Sequence, residues 1–315
     1  MDKFLSCDWG TSAFRLRLVT LPDLDILAEE KNDNGIAKTF RLWQQHGSDA
    51  ANRTTFYHAV IAEAIDAIAQ QLNRRLAGVP IIVSGMASAS IGMMEIPYAP
   101  APIAVDGNNL IIKKLLIANS ENELFIVSGI RTDDDVIRGE ETKVVGCASY
   151  FVDDEPERLV ILPGTHPKHV VIRGANIISI KTSMTGEFFD LLTTQSVLAA
   201  SVEKSVSFDP ITFAVGVNDS ITENLLQAAF KVRTNDLLKH MPKADNYNYL
   251  SGLLIGHEMK GLIEYKHPIY LCSSGDLTAR YQLAADKLDI PIRLQIDAEE
   301  ALLMGQKQIL QTLPR

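Results

Sequence analysis

The sequence predicts an α/β protein in which one unit, a mixed β-sheet flanked by helices, occurs twice. Three observations carry that prediction. A triplet of short strands appears near the start and again past the middle. Each triplet is followed by alternating helices and strands. A length of 315 residues is enough for two lobes, each with its own core. The expected lobes are 1–152 and 153–315, with the last helix returning to the first.

The first triplet reads Phe4–Cys7, Phe14–Val19 and Ile26–Glu30, parted by the turn residues Gly10-Thr11-Ser12 and Pro22-Asp23. Apolar Ile61, Ala64, Ile65, Ile68 and Leu72 recur at helical spacing and predict a helix over 56–76, stopped by Gly78 and Pro80. Ile81–Val83 and Leu124–Val127 are short apolar runs of the buried-strand type. The second triplet is Leu159–Leu162, Lys168–Ile172 and Ile177–Ile180, with turns at Pro163-Gly164-Thr165 and Gly174-Ala175-Asn176. Helices are expected from Thr185 through Leu192, over 248–262, over 277–288 and from Ala298. Strands at 269–272 and 292–294 separate the last three.

Composition narrows the function classes. Apolar residues make up 46% of the chain and charged ones 22%, an ordinary globular mix, and no run reaches the ~20 apolar residues of a membrane helix. A formal charge of −9 argues against a nucleic-acid surface, which needs a basic face. Cys7, Cys147 and Cys272 are too few and too scattered for a disulfide framework or a zinc site. Met1-Asp2-Lys3-Phe4 carries no leader pattern, so the cytoplasm is the expected compartment.

The duplication has a chemical reading. A tight glycine hairpin can aim backbone N–H groups into a concavity, and a neighbouring Thr or Ser adds a hydroxyl donor. Gly10, Thr11 and Ser12 form one such turn, and Gly164, Thr165 and His166 occupy the same place in the second copy, so the pair is suited to a polyphosphate. Asp8, at the end of the first strand, would repel phosphate and is suited to Mg²⁺ or its water shell. Tyr270–Leu277 reads as a strand, a small-residue turn containing Ser274 and Gly275, and a helix start. That turn suits an adenosine, and it equally suits an ordinary strand-to-helix loop.

Hairpin, second hairpin and adenosine turn, in this order, resemble the sugar kinase/heat-shock-70/actin superfamily. More closely, the chain is similar to the 2-dehydro-3-deoxygalactonokinases. The matching segments are Asp8-Trp9-Gly10-Thr11-Ser12, Ser84-Gly85-Met86 with Glu95-Ile96-Pro97-Tyr98, and Asp135-Val136-Ile137-Arg138-Gly139-Glu140-Glu141-Thr142. Leu162-Pro163-Gly164-Thr165-His166, Met184-Thr185-Gly186-Glu187 and Leu250–Gly256 complete the set. The resemblance implies the duplicated actin-like ATPase (ribonuclease H-like) fold, with ATP and Mg²⁺ held between two lobes. It also implies transfer of the ATP γ-phosphate to the 6-hydroxyl of 2-dehydro-3-deoxy-galactonate. The Arg and Trp usual after Ser84-Gly85-Met86 are replaced here within Ala89-Ser90-Ile91-Gly92-Met93, and Pro167 and His169 replace a Ser and a Trp near the second hairpin.

Phosphoryl transfer needs a carboxylate to take the hydroxyl proton. Asp135, Glu140 and Glu141 are the candidates, and the residues alone do not choose among them. Asp135 is expected as the N-cap of a helix, and the acids also read as plain helix-dipole partners. The loop from Met86 to Ala99 is the expected substrate segment, with Ser84, Met86, Glu95 and Tyr98 on or beside it. Arg131 and Arg138 are candidates for the substrate carboxylate; both also read as ordinary surface arginines. Met184–Glu187 begins a helix that could face phosphate or merely form a capping box. Two rivals remain: an exopolyphosphatase-like phosphohydrolase, and a nucleotide or sugar sensor that has lost its chemistry. The expected partners are ATP and a small sugar acid, with a homodimer as the assembly to test.

Overall fold

The structure, a computed structural model, describes residues 2–47, 49–116, 121–152 and 154–313. Met1 and Asp153, on which the expected N-terminus and lobe boundary fall, lie outside the described residues. The chain divides into two units. Unit 1 comprises Met1–Phe151, Ala175–Ser179 and Glu299–Arg315, and unit 2 comprises Val152–Gly174 and Ile180–Ala298.

Unit 1 begins with β1 (Lys3–Trp9), β2 (Phe14–Thr20), β3 (Ile26–Asn32), α1 (Ile36–Gln45), α2 (Ala50–Gln71) and β4 (Ile81–Gly85). It continues with β5 (Ala99–Pro100), β6 (Ile103–Ala104), β7 (Ile112–Leu116), β8 (Glu123–Val127), β9 (Ile130–Arg131), β10 (Val136–Ile137) and α3 (Glu140–Cys147). Its main sheet runs β3-β2-β1-β4-β8-β7. β1 is antiparallel to β2 and parallel to β4, which is in turn parallel to β8. Leu5, Cys7, Ile81, Val83, Leu124 and Ile126 are fully buried, the apolar pattern of parallel strands covered on both faces. β3, at the edge, carries charged Glu29, Glu30 and Lys31.

The α2 helix covers this sheet with Ile61, Ala64, Ile65 and Ile68, as their spacing predicts. It ends at Gln71 rather than Leu76, because Asn73 turns left-handed (φ 47) and the Arg74 N–H closes back on the Ala69 carbonyl at 3.0 Å. Gly78 and Pro80 come too late to be the stop. A second expectation also fails: Asp135 caps no helix. β-branched Val136 and Ile137 instead pair with Arg131 and Ile130 as a short hairpin. Asp135 stands in its turn, with Oδ1 accepting from the Val136 N–H at 2.7 Å. The chain then reverses at Gly139, whose φ of 105 favours glycine, and the helix starts at Glu140.

Unit 2 contains β11 (Glu157–Leu162), β12 (Lys168–Arg173), the end of β13 (Asn176–Thr182), α4 (Thr185–Thr194), α5 (Pro210–Thr222) and α6 (Leu225–Lys239). It closes with α7 (Lys243–Met259), β14 (Ile269–Ser273), α8 (Asp276–Lys287) and β15 (Ile292–Asp297). The last helix, α9 (Ala298–Thr312), belongs to unit 1 from Glu299 onward. The order β15-β14-β11-β12-β13 repeats, in reverse listing, the β3-β2-β1-β4-β8 order of unit 1. Each unit thus places its first strand centrally, with a hairpin partner on one side and a parallel strand on the other. This is the duplicated α/β fold that the two strand triplets predict.

Candidate active site

The first hairpin closes where the Gly10 N–H meets the Ala13 carbonyl at 3.0 Å. Its own carbonyls are taken by the start of α1: Ile36 N–H donates to Gly10 O at 2.9 Å and Ala37 N–H to Thr11 O at 3.1 Å. Gly35 makes that seating possible, because a Cβ there would lie 2.5 Å from both the Ala13 nitrogen and the Thr11 oxygen. With the carbonyls occupied, exposed Thr11 and Ser12 keep amide N–H groups that have no hydrogen-bond partner among the described residues. Such amides, with two hydroxyls, make a donor-rich turn suited to phosphate oxygens.

The second hairpin is seated the same way on α4. Glu187 N–H donates to Thr165 O at 3.1 Å, and a Cβ on Gly186 would lie 2.7 Å from Thr165 Cα. His166 pairs with Glu187 through Nε2 and Oε2 at 2.6 Å. No side chain caps α4, so the capping-box alternative for Met184–Glu187 is not realised.

Asp8 lies in register between Arg15 on β2 and Ser84 on β4, with its carboxylate accepting no hydrogen bond among the described residues. Behind it runs a buried polar chain. Ser84, 1% exposed, accepts from Thr142 Oγ1 at 3.0 Å and from Gln306 Nε2 at 3.1 Å. Gln306 Nε2 also reaches the Cys7 carbonyl at 3.2 Å. Thr142 Oγ1 is 3.3 Å from Glu141 Oε1, and Glu141 Oε2 accepts the Gly139 N–H at 2.6 Å. Burial, reinforced by the charge of Glu140, pushes the Glu141 carboxyl up to about 8, overriding the hydrogen bonds and the nearby Arg138 charge. The three candidate acids are therefore separated: Asp135 in a hairpin turn, Glu140 half-buried with Oε2 on the Arg138 N–H, and Glu141 fully enclosed.

Arg138 is not a surface arginine. Its Nη1 donates to Ser88 O at 2.7 Å and to Ser88 Oγ, its Nη2 reaches Ile96 O at 3.3 Å, and its Cζ lies 4.1 Å from the Tyr98 ring centroid. It clamps the loop that follows Ser84-Gly85. Met86 and Tyr98 on that loop are half-buried and Glu95 is exposed, whereas Arg131 is exposed on β9.

In unit 2, a cavity of about 190 Å³ opens beside Gly164. Thr185 and Gly186 of α4, Ser251 of α7, and Arg280 and Tyr281 of α8 line it. Below it, Glu258, whose side chain is 1% exposed, accepts from Thr185 Oγ1 at 2.5 Å and Tyr281 OH at 2.8 Å, and pairs with His169 Nε2 at 3.1 Å. The sequence analysis gave Glu258, Gln306 and Gly35 no role. The turn Ser274-Gly275 lies at the start of α8, where Ser274 Oγ donates to Asp297 at 2.8 Å and accepts the Ala298 N–H at 3.0 Å. Among the described residues no group of three or more His, Cys, Asp or Glu could hold a metal ion, and no helix is long and apolar enough to cross a membrane.

A duplicated sheet with a glycine hairpin on each copy is the layout of the actin-like ATPase fold, and the family matched by this chain makes it a phosphotransferase, an ATP-using kinase. A profile of the family described as 2-keto-3-deoxy-galactonokinase matches residues 8–309, and the chain belongs to that family. A Rhizobium meliloti (strain 1021) protein described as a probable 2-dehydro-3-deoxygalactonokinase is 29% identical over 316 residues, covering 96% of this chain and 94% of its own length. The Escherichia coli (strain K12) 2-dehydro-3-deoxygalactonokinase is 32% identical over 215 residues, 65% of this chain and 70% of that protein. A crystal structure from Sinorhizobium meliloti, of a candidate 2-dehydro-3-deoxygalactonokinase, superposes with a TM-score of 0.81 at 28% identity, covering 98% of this chain and 96% of that one. These likenesses favour the kinase over the phosphohydrolase and sensor alternatives.

Proposed function

We propose that the chain phosphorylates the 6-hydroxyl of a 2-dehydro-3-deoxy sugar acid, 2-dehydro-3-deoxy-galactonate in the first instance, in sugar-acid breakdown in the cytoplasm. The observation that carries the reading is the strand-end cluster of unit 1, where Asp8 and the first hairpin stand beside the hydrogen-bonded chain of Ser84, Thr142 and Glu141. Family membership and the names of the relatives supply the acceptor.

In this reading unit 1 carries the first hairpin, the acceptor loop and the base, and unit 2 carries the second hairpin and the nucleoside. In unit 1, Thr11 and Ser12 would donate to phosphate oxygens through their hydroxyls and free amides, in the turn that Gly10 closes; in unit 2, the amides of Gly164 and Thr165 would do the same, with His166 beside them. The Ser274-Gly275 turn and the cavity beside Gly164 would take the nucleoside. Asp8 fits Mg²⁺: it is a carboxylate with no protein donor, and this ion takes one or two carboxylates while keeping water and phosphate ligands. Bound there, Mg²⁺ supplies charge neutralisation on the phosphates.

Glu141 is the base of choice. A carboxyl near 8 is matched to proton transfer at neutral to mildly alkaline pH, and Oε1, the oxygen not held by Gly139, would receive the proton. As the acceptor oxygen bonds to the γ-phosphorus, the bond from that phosphorus to the β–γ bridging oxygen breaks and ADP leaves. Arg138 would hold the acceptor loop, with Met86, Glu95 and Tyr98 its exposed or half-buried members. Ser84, the strand-end member of the same cluster, would position Thr142, whose hydroxyl donates to it. Arg131, exposed on a separate hairpin, is placed less favourably. A homodimer remains the assembly proposed, to be checked by light scattering.

The test is ADP release measured against a panel of 2-keto-3-deoxy sugar acids. The reading expects release that depends on the acid, with the galactonate derivative among the best. Phosphate release indifferent to any acid would overturn it.

A further inference from the structure

A sugar acid presents a carboxylate, and a protein that selects for one needs a cation with donors to spare. The acceptor loop, residues 86–99, contains Glu95 and no Lys, Arg or His. Arg138 touches this loop, but both of its terminal nitrogens already donate to Ser88 and Ile96.

Arg53, near the start of α2, reaches the same loop from the other side. One of its terminal nitrogens, Nη2, donates to the Ser90 carbonyl. Its Cζ lies 5.3 Å from the Phe40 ring centroid and 5.4 Å from that of Trp43, so two aromatic faces on α1 hold the guanidinium in place. Its Nε, like that of Arg138, is buried without a partner; its neighbour Tyr57 is a neutral phenol, and no carboxylate pairs with Arg53 among the described residues. Arg15 and Arg17, in the same unit, share Glu29 and Glu299. The half-buried Arg53 guanidinium is thus held in place without a counter-ion, which leaves its charge to pair with an anion. Its location suits the acceptor. One turn further along α2, Tyr57 donates to Ile91 O at 2.6 Å, and its ring lies 5.5 Å from that of Trp9, the neighbour of Asp8.

We infer that Arg53 is a specificity-determining residue that reads the carboxylate of the acceptor. The inference rests on the sugar-acid reading above. It goes further by assigning the anion to a residue outside every motif singled out in the sequence.

The experiment compares the acid with its carboxamide, of nearly the same shape but neutral, in wild type, Arg53→Gln and Arg53→Lys. Calorimetry with both compounds is run alongside KM for ATP. Wild type should prefer the acid at least tenfold, as expected for a charge-assisted hydrogen bond of about 1.5–3 kcal/mol. Arg53→Gln should bring that preference close to one while KM for ATP stays within about twofold; Arg53→Lys should keep part of it. If Arg53 only braced Ser90, the glutamine variant would weaken acid and carboxamide alike and leave the preference intact, which overturns the inference. Should the glutamine variant fail to fold, the lysine variant decides: a preference equal to that of wild type overturns the assignment. A wild type that binds no such acid overturns the acceptor reading itself, a separate outcome.

Discussion

The two hairpins share a backbone plan and differ in chemistry. Each closes between its unit's first two strands, and each gives up a threonine carbonyl, Thr11 or Thr165, to an N–H in the first turn of a helix. Each lies against a glycine, Gly35 or Gly186, that lets the helix approach. Two residues before the hairpin glycine, unit 1 has Asp8 and unit 2 has Leu162, a buried apolar side chain. Unit 1 adds a tuned acid at the start of α3. The buried acid of unit 2, Glu258, is instead met by Thr185, Tyr281 and His169. Duplication preserved the hairpin backbone, and the acids proposed to react lie in one copy.

That asymmetry can be broken most sharply at Asp8. Asp8→Asn should lower kcat by about three powers of ten with the fold intact, because charge neutralisation is felt mainly in the transition state. Turnover measured across a magnesium titration checks it; normal kcat at saturating metal would remove Asp8 from the site.

Glu141→Gln comes next, costing about a hundredfold or more in kcat if Glu141 is the base. The same change separates function from stability. The Glu141 carboxyl has its ordinary value of 4.5 in the unfolded chain and about 8 in the folded one. Between those values the folded state keeps a proton that the unfolded state has released. Stability is therefore fully present below about pH 4.5 and falls with rising pH until about 8, by ~1.4 kcal/mol per pH unit at most. Denaturant unfolding should show the glutamine variant, which mimics the protonated acid, gaining on wild type as pH rises. A constant gap from pH 5 to 9 would contradict the tuned carboxyl.

The shared backbone plan predicts paired effects at its glycines. Gly35→Ala should cost on the order of a hundredfold in kcat/KM for ATP, because its Cβ would press on hairpin backbone that cannot yield. Gly186→Ala, whose tightest contact is 2.7 Å, should cost less, about tenfold. Steady-state kinetics on both variants would break the equivalence if only one of them mattered. The smallest effect is at Glu258, where Glu258→Gln should lower stability by about 1–3 kcal/mol, read as a shift in Tm, because an amide cannot satisfy all three surrounding groups.

Much of this was legible in the sequence. The strand triplets and both glycine hairpins follow from local pattern, and the structure forms each of them. Asp135 misled because three aspartates before an apolar run look like a helix start, when Val136 and Ile137 are β-branched and pair as a strand. The helices α1, α5 and α6 escaped notice, although Asp209 before Pro210 is a clear start signal, its carboxylate accepting from Ile211 and Thr212. Arg53, Gln306 and Glu258 could not be found by spacing, because partners such as Ser90, Cys7 and His169 lie far off in the chain and only tertiary packing brings them together. The raised Glu141 carboxyl was hidden for the same reason, since the sequence shows an acid at a helix start but not its burial.

The central claim is that phosphate moves from ATP to a sugar-acid hydroxyl. Following γ-labelled ATP in the presence and absence of 2-dehydro-3-deoxy-galactonate tests it most directly. The label should appear as a phosphate ester on the acid, in amounts equal to the ADP formed, and about a hundredfold more slowly with Glu141→Gln. Label released as inorganic phosphate at the same rate with or without the acid would contradict the account.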